Sequence, residues 1–172
     1  MIQPDLTTVP PFYQGYVNLV KNKDLFDNLE QSARITQQLL STISESRGTY
    51  AYAPGKWTIK EVLCHMIDTE RIFAYRAMRF ARNDKTPLPG FEENDYAPEA
   101  NAPNRTVVDI AAEMGRLRQT TIDLYRSFST EMLQRTGTAN NSAMSVLNLG
   151  FVISGHETHH RNVLSERYGV KS

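Results

Sequence analysis

Residues 83–105 read NDKTPLPGFEENDYAPEANAPNR, and the reading of this stretch decides the architecture. It carries Pro87, Pro89, Pro98 and Pro103, which rule out one continuous helix. It separates two segments of helical periodicity, at about residues 58–82 and 106–128. A connection of 23 residues without elements of its own needs a geometric reason. A helix of 25 residues is ~37 Å long, and 23 extended residues at ~3.3 Å each span that length with slack. Two parallel helices joined by a crossover account for the loop.

The segment before the loop has the best-marked start in the chain. Thr58-Ile-Lys-Glu61 is a capping box, and Trp57 and Val62 can close a hydrophobic staple around it. After the loop, Val107, Ile110, Met114, Leu117, Ile122 and Tyr125 form an apolar stripe. A first helix is expected over residues 24–47, with Leu25, Leu29, Ile35, Leu39 and Ile43 inward and Gly48 as its stop. A fourth is expected over 142–168, ended by Gly169. The other connections are short and suit antiparallel neighbours. The expected fold is all-α: a four-helix bundle, up-down-down-up, with one long crossover loop between helices two and three. Residues 1–22 are expected to be an N-terminal lead-in, helical over 10–22 and packed on the bundle, and 23–172 a single bundle domain. No segment reads as strand.

Composition narrows the function classes. With 172 residues and 40% apolar content the chain can bury a core. Nineteen Lys plus Arg balance nineteen Asp plus Glu, so there is no electrostatic case for nucleic acid or an anionic membrane as partner. No apolar run of 18 residues exists, and the first residues lack the basic start and apolar stretch of a signal peptide. One cysteine, Cys64, excludes an internal disulfide framework. These features point to the cytoplasm.

The chemistry is in the histidines. There are four: His65, His156, His159 and His160. On the fourth helix Leu149, Ile153, His156, His160 and Val163 step by three and four along the inward face. His156 and His160 therefore stand on adjacent turns, where two imidazoles can chelate one ion. His65 lies ~10 Å into helix two, and His160 lies ~12 Å from the end of helix four. In antiparallel helices these depths match, and the three can share a divalent metal. Zinc and nickel take imidazole readily. Three histidines with an open position are the composition of a catalytic site rather than a closed structural one.

His156-Glu157-Thr158-His159-His160 also satisfies H-E-x-x-H. The context of a zincin protease is missing. Only 12 residues follow His160, and Val163 and Glu166 stand where a metzincin needs glycine and histidine. Glu157 either approaches a water at the metal or faces solvent. His159, one position off the stripe, is expected behind the ligands or at the surface. Cys64 points ~100° away from His65 and reads as packing. Asp68 could orient the His65 imidazole or be solvated. Glu92, Glu93 and Asp95 read as loop surface, and Met66, Phe73, Met78 and Phe80 as core.

YAPGKWTIKEVLCHMIDTERIFAYRAMRFAR (52–82), PLPGF (87–91) and GHETHHRNVLSERY (155–168) resemble the DinB/YfiT-like superfamily, particularly its DinB-like branch, over about residues 23–169. The resemblance implies the same bundle, often as a homodimer, and a metal triad mapping onto His65, His156 and His160 with zinc or nickel. It implies metal-dependent chemistry, in some relatives with low-molecular-weight thiols. The expected function is thus a metal-dependent enzyme acting on a small molecule, of hydrolase or low-molecular-weight thiol transferase type. The alternative is a non-enzymatic metal-binding or stress-related dimeric bundle; a third reading is a dimeric scaffold with idle histidines. The matched depths put the ion near one end of the bundle. Tyr50, Tyr52 and Trp57, with loop residues around 96–104, are expected to rim a pocket over it.

Overall fold

A computed structural model describes residues 2–171. Its helices are α1 (Pro11–Asn18), α2 (Leu25–Leu40), α3 (Ile59–Ala81), α4 (Glu93–Glu99), α5 (Val107–Arg126), α6 (Thr130–Gln134) and α7 (Val146–Glu166). Two strands, β1 (Thr136–Ala139) and β2 (Ser142–Ser145), form an antiparallel hairpin. The four long helices α2, α3, α5 and α7 pack as a bundle, and α1 lies against α7. Among the described residues no helix is long and apolar enough to cross a membrane.

The helix starts follow local chemistry. Thr58 accepts from the Glu61 amide at 3.2 Å, and Glu61 accepts from the Thr58 amide at 2.7 Å, completing the box. Asp24, Thr106 and Ser145 cap α2, α5 and α7 through side-chain oxygens that each accept from one first-turn amide. The helix α7 is the centre of the molecule. Every residue from Val146 to Glu157 is buried, so its first three turns have no polar face. Around it, Leu25, Leu29, Phe73, Phe80, Tyr125 and Phe151 form one core cluster, and Ile59, Leu63, Ile67, Ile110 and Leu164 the other.

The structure departs from the sequence reading in three places. The fourth helix starts at Val146 rather than residue 142, because residues 136–145 form the hairpin. Its turn is Asn140-Asn141, with φ of 48° and 57°, a left-handed pair that asparagine tolerates and a two-residue hairpin requires. The first helix ends at Leu40, and a separate 3-10 turn, Glu45–Arg47, precedes Gly48. Gly48 has φ of −56°, so it is not a left-handed stop. Its smallness matters instead: an added Cβ would lie 2.7 Å from the Lys60 side chain and 2.8 Å from that of Val107. The long connection is also not bare. It holds α4 and a 3-10 turn at Ala102–Asn104, and it is tied to the hairpin where the Leu88 amide donates to the Thr138 carbonyl at 2.9 Å.

Arg118, on α5, is buried and joins the four bundle helices. It donates to both carboxylate oxygens of Glu70 on α3 at 2.8 Å and to Glu157 on α7 at 2.6 Å. It also donates to the Leu29 carbonyl and the Ser32 hydroxyl of α2, at 3.2 and 2.7 Å.

Candidate metal centre

Two helices bring the three histidines together. His65 sits on the second turn of α3, and His156 and His160 sit one turn apart on α7. The His156 Nε2 lies 3.1 Å from the His65 Nε2 and 3.0 Å from the His160 Nε2. One ligand atom from each histidine falls within 4.8 Å of the other two. His156 is buried, and the other two are half-buried.

Burial sets the charge state. It pushes the His65 imidazole down to about 4 and the His160 imidazole down to about 3, with the neighbouring histidines adding to both. His156, fully enclosed, lies well below the usual histidine range for the same reason. All three are neutral near pH 7, so each has a nitrogen lone pair to offer. One proton cannot satisfy the meeting of three Nε2 atoms, because His156 Nε2 can donate to one neighbour or accept, but cannot pair with both as donor. Among the described residues the buried His160 Nδ1 has no hydrogen-bond partner. Such a cluster is poorly satisfied by its own hydrogen bonds and well suited to a cation that accepts all three lone pairs. Tetrahedral ligands at 2.0–2.1 Å stand ~3.3 Å apart, close to the spacing found.

The surroundings of the triad differ from expectation in several residues. The neighbour of the His65 Nδ1 is Thr69 Oγ1 at 3.5 Å, whereas Asp68 faces Arg71 at 3.8 Å. The Trp57 ring lies against His65, with centroids 4.9 Å apart. Glu157 does not face solvent: it is buried, and Arg118 holds it. Cys64 is buried, as packing requires. His159 lies beside the triad, its ring 5.0 Å from His160 and 5.3 Å from Tyr16.

A half-open cavity of about 210 Å³ stands over the histidines. Trp57 lines it as expected, but Tyr50 and Tyr52 do not; their rings pack on Tyr168 at 6.3 and 5.0 Å. From the long connection the wall residues are Phe91 and Glu93, upstream of the segment expected; Tyr96 packs behind, on Phe91. The sequence reading missed the α1 wall of Phe12, Tyr13 and Tyr16, together with Arg76 and the hairpin's Asn140. A signal for Arg76 was present: His65, Thr69, Phe73 and Arg76 recur at helical spacing on one face of α3.

The core of the bundle thus gathers three neutral imidazoles beneath a cavity, a donor set that could hold a metal ion. This chain belongs to the DinB superfamily, whose family model matches residues 28–164. A curated relative from Oceanobacillus iheyensis, named "Putative metal-dependent hydrolase", is 22% identical over 145 residues, covering 80% of this chain and 82% of that protein. Among solved structures, YfiT from Bacillus subtilis superposes with a TM-score of 0.73 at 18% identity, over 86% of this chain and 87% of YfiT. It is described as "a probable metal-dependent hydrolase with an unusual four-helix bundle topology". A mycothiol-dependent maleylpyruvate isomerase superposes with a TM-score of 0.64 at 12% identity, over 92% of this chain and 62% of that one. At these identities the structural likeness establishes the fold.

Proposed function

We propose that the chain is a metal-dependent enzyme acting on a small molecule, a hydrolase or a low-molecular-weight thiol transferase. In this reading His65, His156 and His160 hold one divalent ion, zinc or nickel. The observation that carries it is the His156 Nε2 lying 3.1 Å from that of His65 and 3.0 Å from that of His160, beneath the cavity. An ion in that position supplies Lewis acidity, which brings the pKa of water or of a thiol toward neutrality. The chain's own residues do the rest. Burial keeps the imidazoles unprotonated, Trp57 and Thr69 fix His65, and the aromatic walls limit bulk water around a bound substrate.

The up-down-down-up order belongs to this reading, because it sets His65 opposite His156 and His160. It is supported by Tyr168, past the end of α7, donating to the Trp57 carbonyl before α3 at 2.7 Å. It is also supported by Glu45, which pairs with Lys60 on α3 and accepts from the Val107 amide of α5 at 2.8 Å. Residues 1–22 then form a lead-in on a single bundle domain, the family resemblance adds a homodimer, and the composition suits the cytoplasm.

Elemental analysis of untagged protein tests the metal, with one zinc or nickel per chain expected. A metal-free protein that refuses both ions would overturn the assignment. Turnover of an ester and amide panel, with and without added thiol, separates the two reaction types: thiol-independent cleavage indicates the hydrolase. A sedimentation mass of 19.6 kDa at micromolar concentration would exclude the dimer.

A further inference from the structure

Arg76 is buried at 4% exposure and lines the cavity. A guanidinium has five N–H donors. Among the described residues only one hydrogen bond uses them, from Nη2 to the Pro89 carbonyl at 2.9 Å. No carboxylate of the described residues comes within ion-pair distance of it. Arg118, equally buried at 3%, shows what a structural arginine needs in this fold: two carboxylates, a hydroxyl and a carbonyl. A buried cation without a counter-charge is costly. The bond to Pro89 explains one donor and leaves the charge unpaired.

Its surroundings suit a ligand. Phe73 and Phe91 flank the guanidinium, their ring centroids 5.7 and 5.9 Å from Cζ, and steady it without neutralising it. Arg76 follows His65 by eleven residues, ~16 Å along the axis of α3, and its side chain leans back toward the helix start. The Phe73 ring stands 6.3 Å from His156 and 5.7 Å from Arg76, so the guanidinium lies within about 12 Å of the His156 ring. Glu93 also lines the cavity but does not pair with Arg76.

We propose that the cavity binds a small molecule bearing an anionic group, carboxylate or phosphate, and that Arg76 is the residue that receives it, several bonds from the end at the histidines. This rests on the reading of the histidine cluster as the reacting end. The arginine offers a planar fork to either anion, and its desolvated position makes a charge-assisted pair strong.

The test compares benzoate, phenylphosphonate and neutral methyl benzoate by calorimetric titration. It uses untagged protein in zinc-loaded and chelator-stripped forms, because a carboxylate can also ligate zinc. In stripped wild-type protein at least one of the two acids is expected to bind about tenfold or more tightly than the ester. Which acid does so identifies the anion. Arg76→Gln abolishes the preference while zinc stoichiometry stays at the wild-type value, and Arg76→Lys retains part of it. Two results overturn the proposal: no acid preference in stripped wild-type protein, or an undiminished preference in folded Arg76→Gln. If Arg76→Gln fails to fold, the stripped wild-type comparison and Arg76→Lys decide. A failure of the metal reading is seen separately, as wild-type protein that takes up no zinc.

Discussion

His159 and His160 are adjacent in sequence and unequal in surroundings. The His160 Nε2 meets that of His156 at 3.0 Å, whereas the His159 ring turns toward Tyr16. His160→Ala is therefore expected to lose the metal, and His159→Ala to keep it, as read by zinc per chain after gel filtration. Equal loss in both would contradict the ligand assignment. Tyr168 gives a pH-dependent prediction. Burial, then the nearby Tyr52, Glu61 and Tyr50, push its phenol up to about 12. The unfolded chain releases that proton near pH ~10. The folded state keeps it longer, so the stability Tyr168 contributes is whole below pH ~10 and is lost between about 10 and 12. Tyr168→Phe loses the bond to the Trp57 carbonyl, about 1 kcal/mol at neutral pH. The gap between wild type and variant, measured by urea unfolding, narrows as pH rises through that window; a constant gap would refute the assignment. The three clustered histidines were legible because the chain has only four and two stand at i, i+4 on an apolar stripe. Arg76 was legible only as a position on the His65 face of α3; its missing counter-charge was not, because a missing partner leaves no mark on a sequence.

Element by element, legibility tracked the strength of local signals. The start of α3 was readable from its capping box to the residue. The hairpin was not: TGTA and SAMS lack the alternation of a half-buried strand. Their pairing comes from the Asn140-Asn141 turn and from Leu88, which reaches in from the long connection. The lead-in was read as a short helix, and α1 is one, but its part in the cavity wall depends on how it docks. That docking turns on Gly155, where an added Cβ would lie 2.3 Å from the Tyr16 carbonyl oxygen and 2.6 Å from its carbon. Alanine favours a helix interior over glycine by up to ~1 kcal/mol. Forcing backbone apart costs about 1–3 kcal/mol, so the clash wins. Gly155→Ala is expected to lower the melting temperature and to weaken ligand binding by shifting the aromatic wall. Gly115→Ala on α5 is the contrast: its Cβ would meet only the Gln37 side chain at 3.5 Å, so the helix gain remains and the melting temperature rises. If both variants respond alike, the close approach of α1 to α7 is not what Gly155 serves.

At the level of the full bundle, Arg118 on α5 hydrogen-bonds to α2, α3 and α7 at once. Arg118→Met strips Glu157 of its partner and is expected to cost about 3–5 kcal/mol in chemical denaturation. A loss under ~1 kcal/mol would mean that the apolar core alone holds the helices in place. Replacing Arg118, Glu70 and Glu157 together by apolar residues should cost far less than removing the arginine alone, since no charge is then left stranded. The shared guanidinium also bears on how the molecule fluctuates. Peeling any one of the four helices away breaks hydrogen bonds of this buried guanidinium, and losing α5 strands the buried Glu157, so a partial opening is costly. The slowest amide protons of these helices should exchange with solvent deuterium as one cooperative block. The short α1 has no share in that network, and its amides should exchange sooner. The floor of the cavity would then stay rigid while its aromatic wall breathes, so that the lifetime of a held ion and the traffic of small molecules past it run on separate clocks.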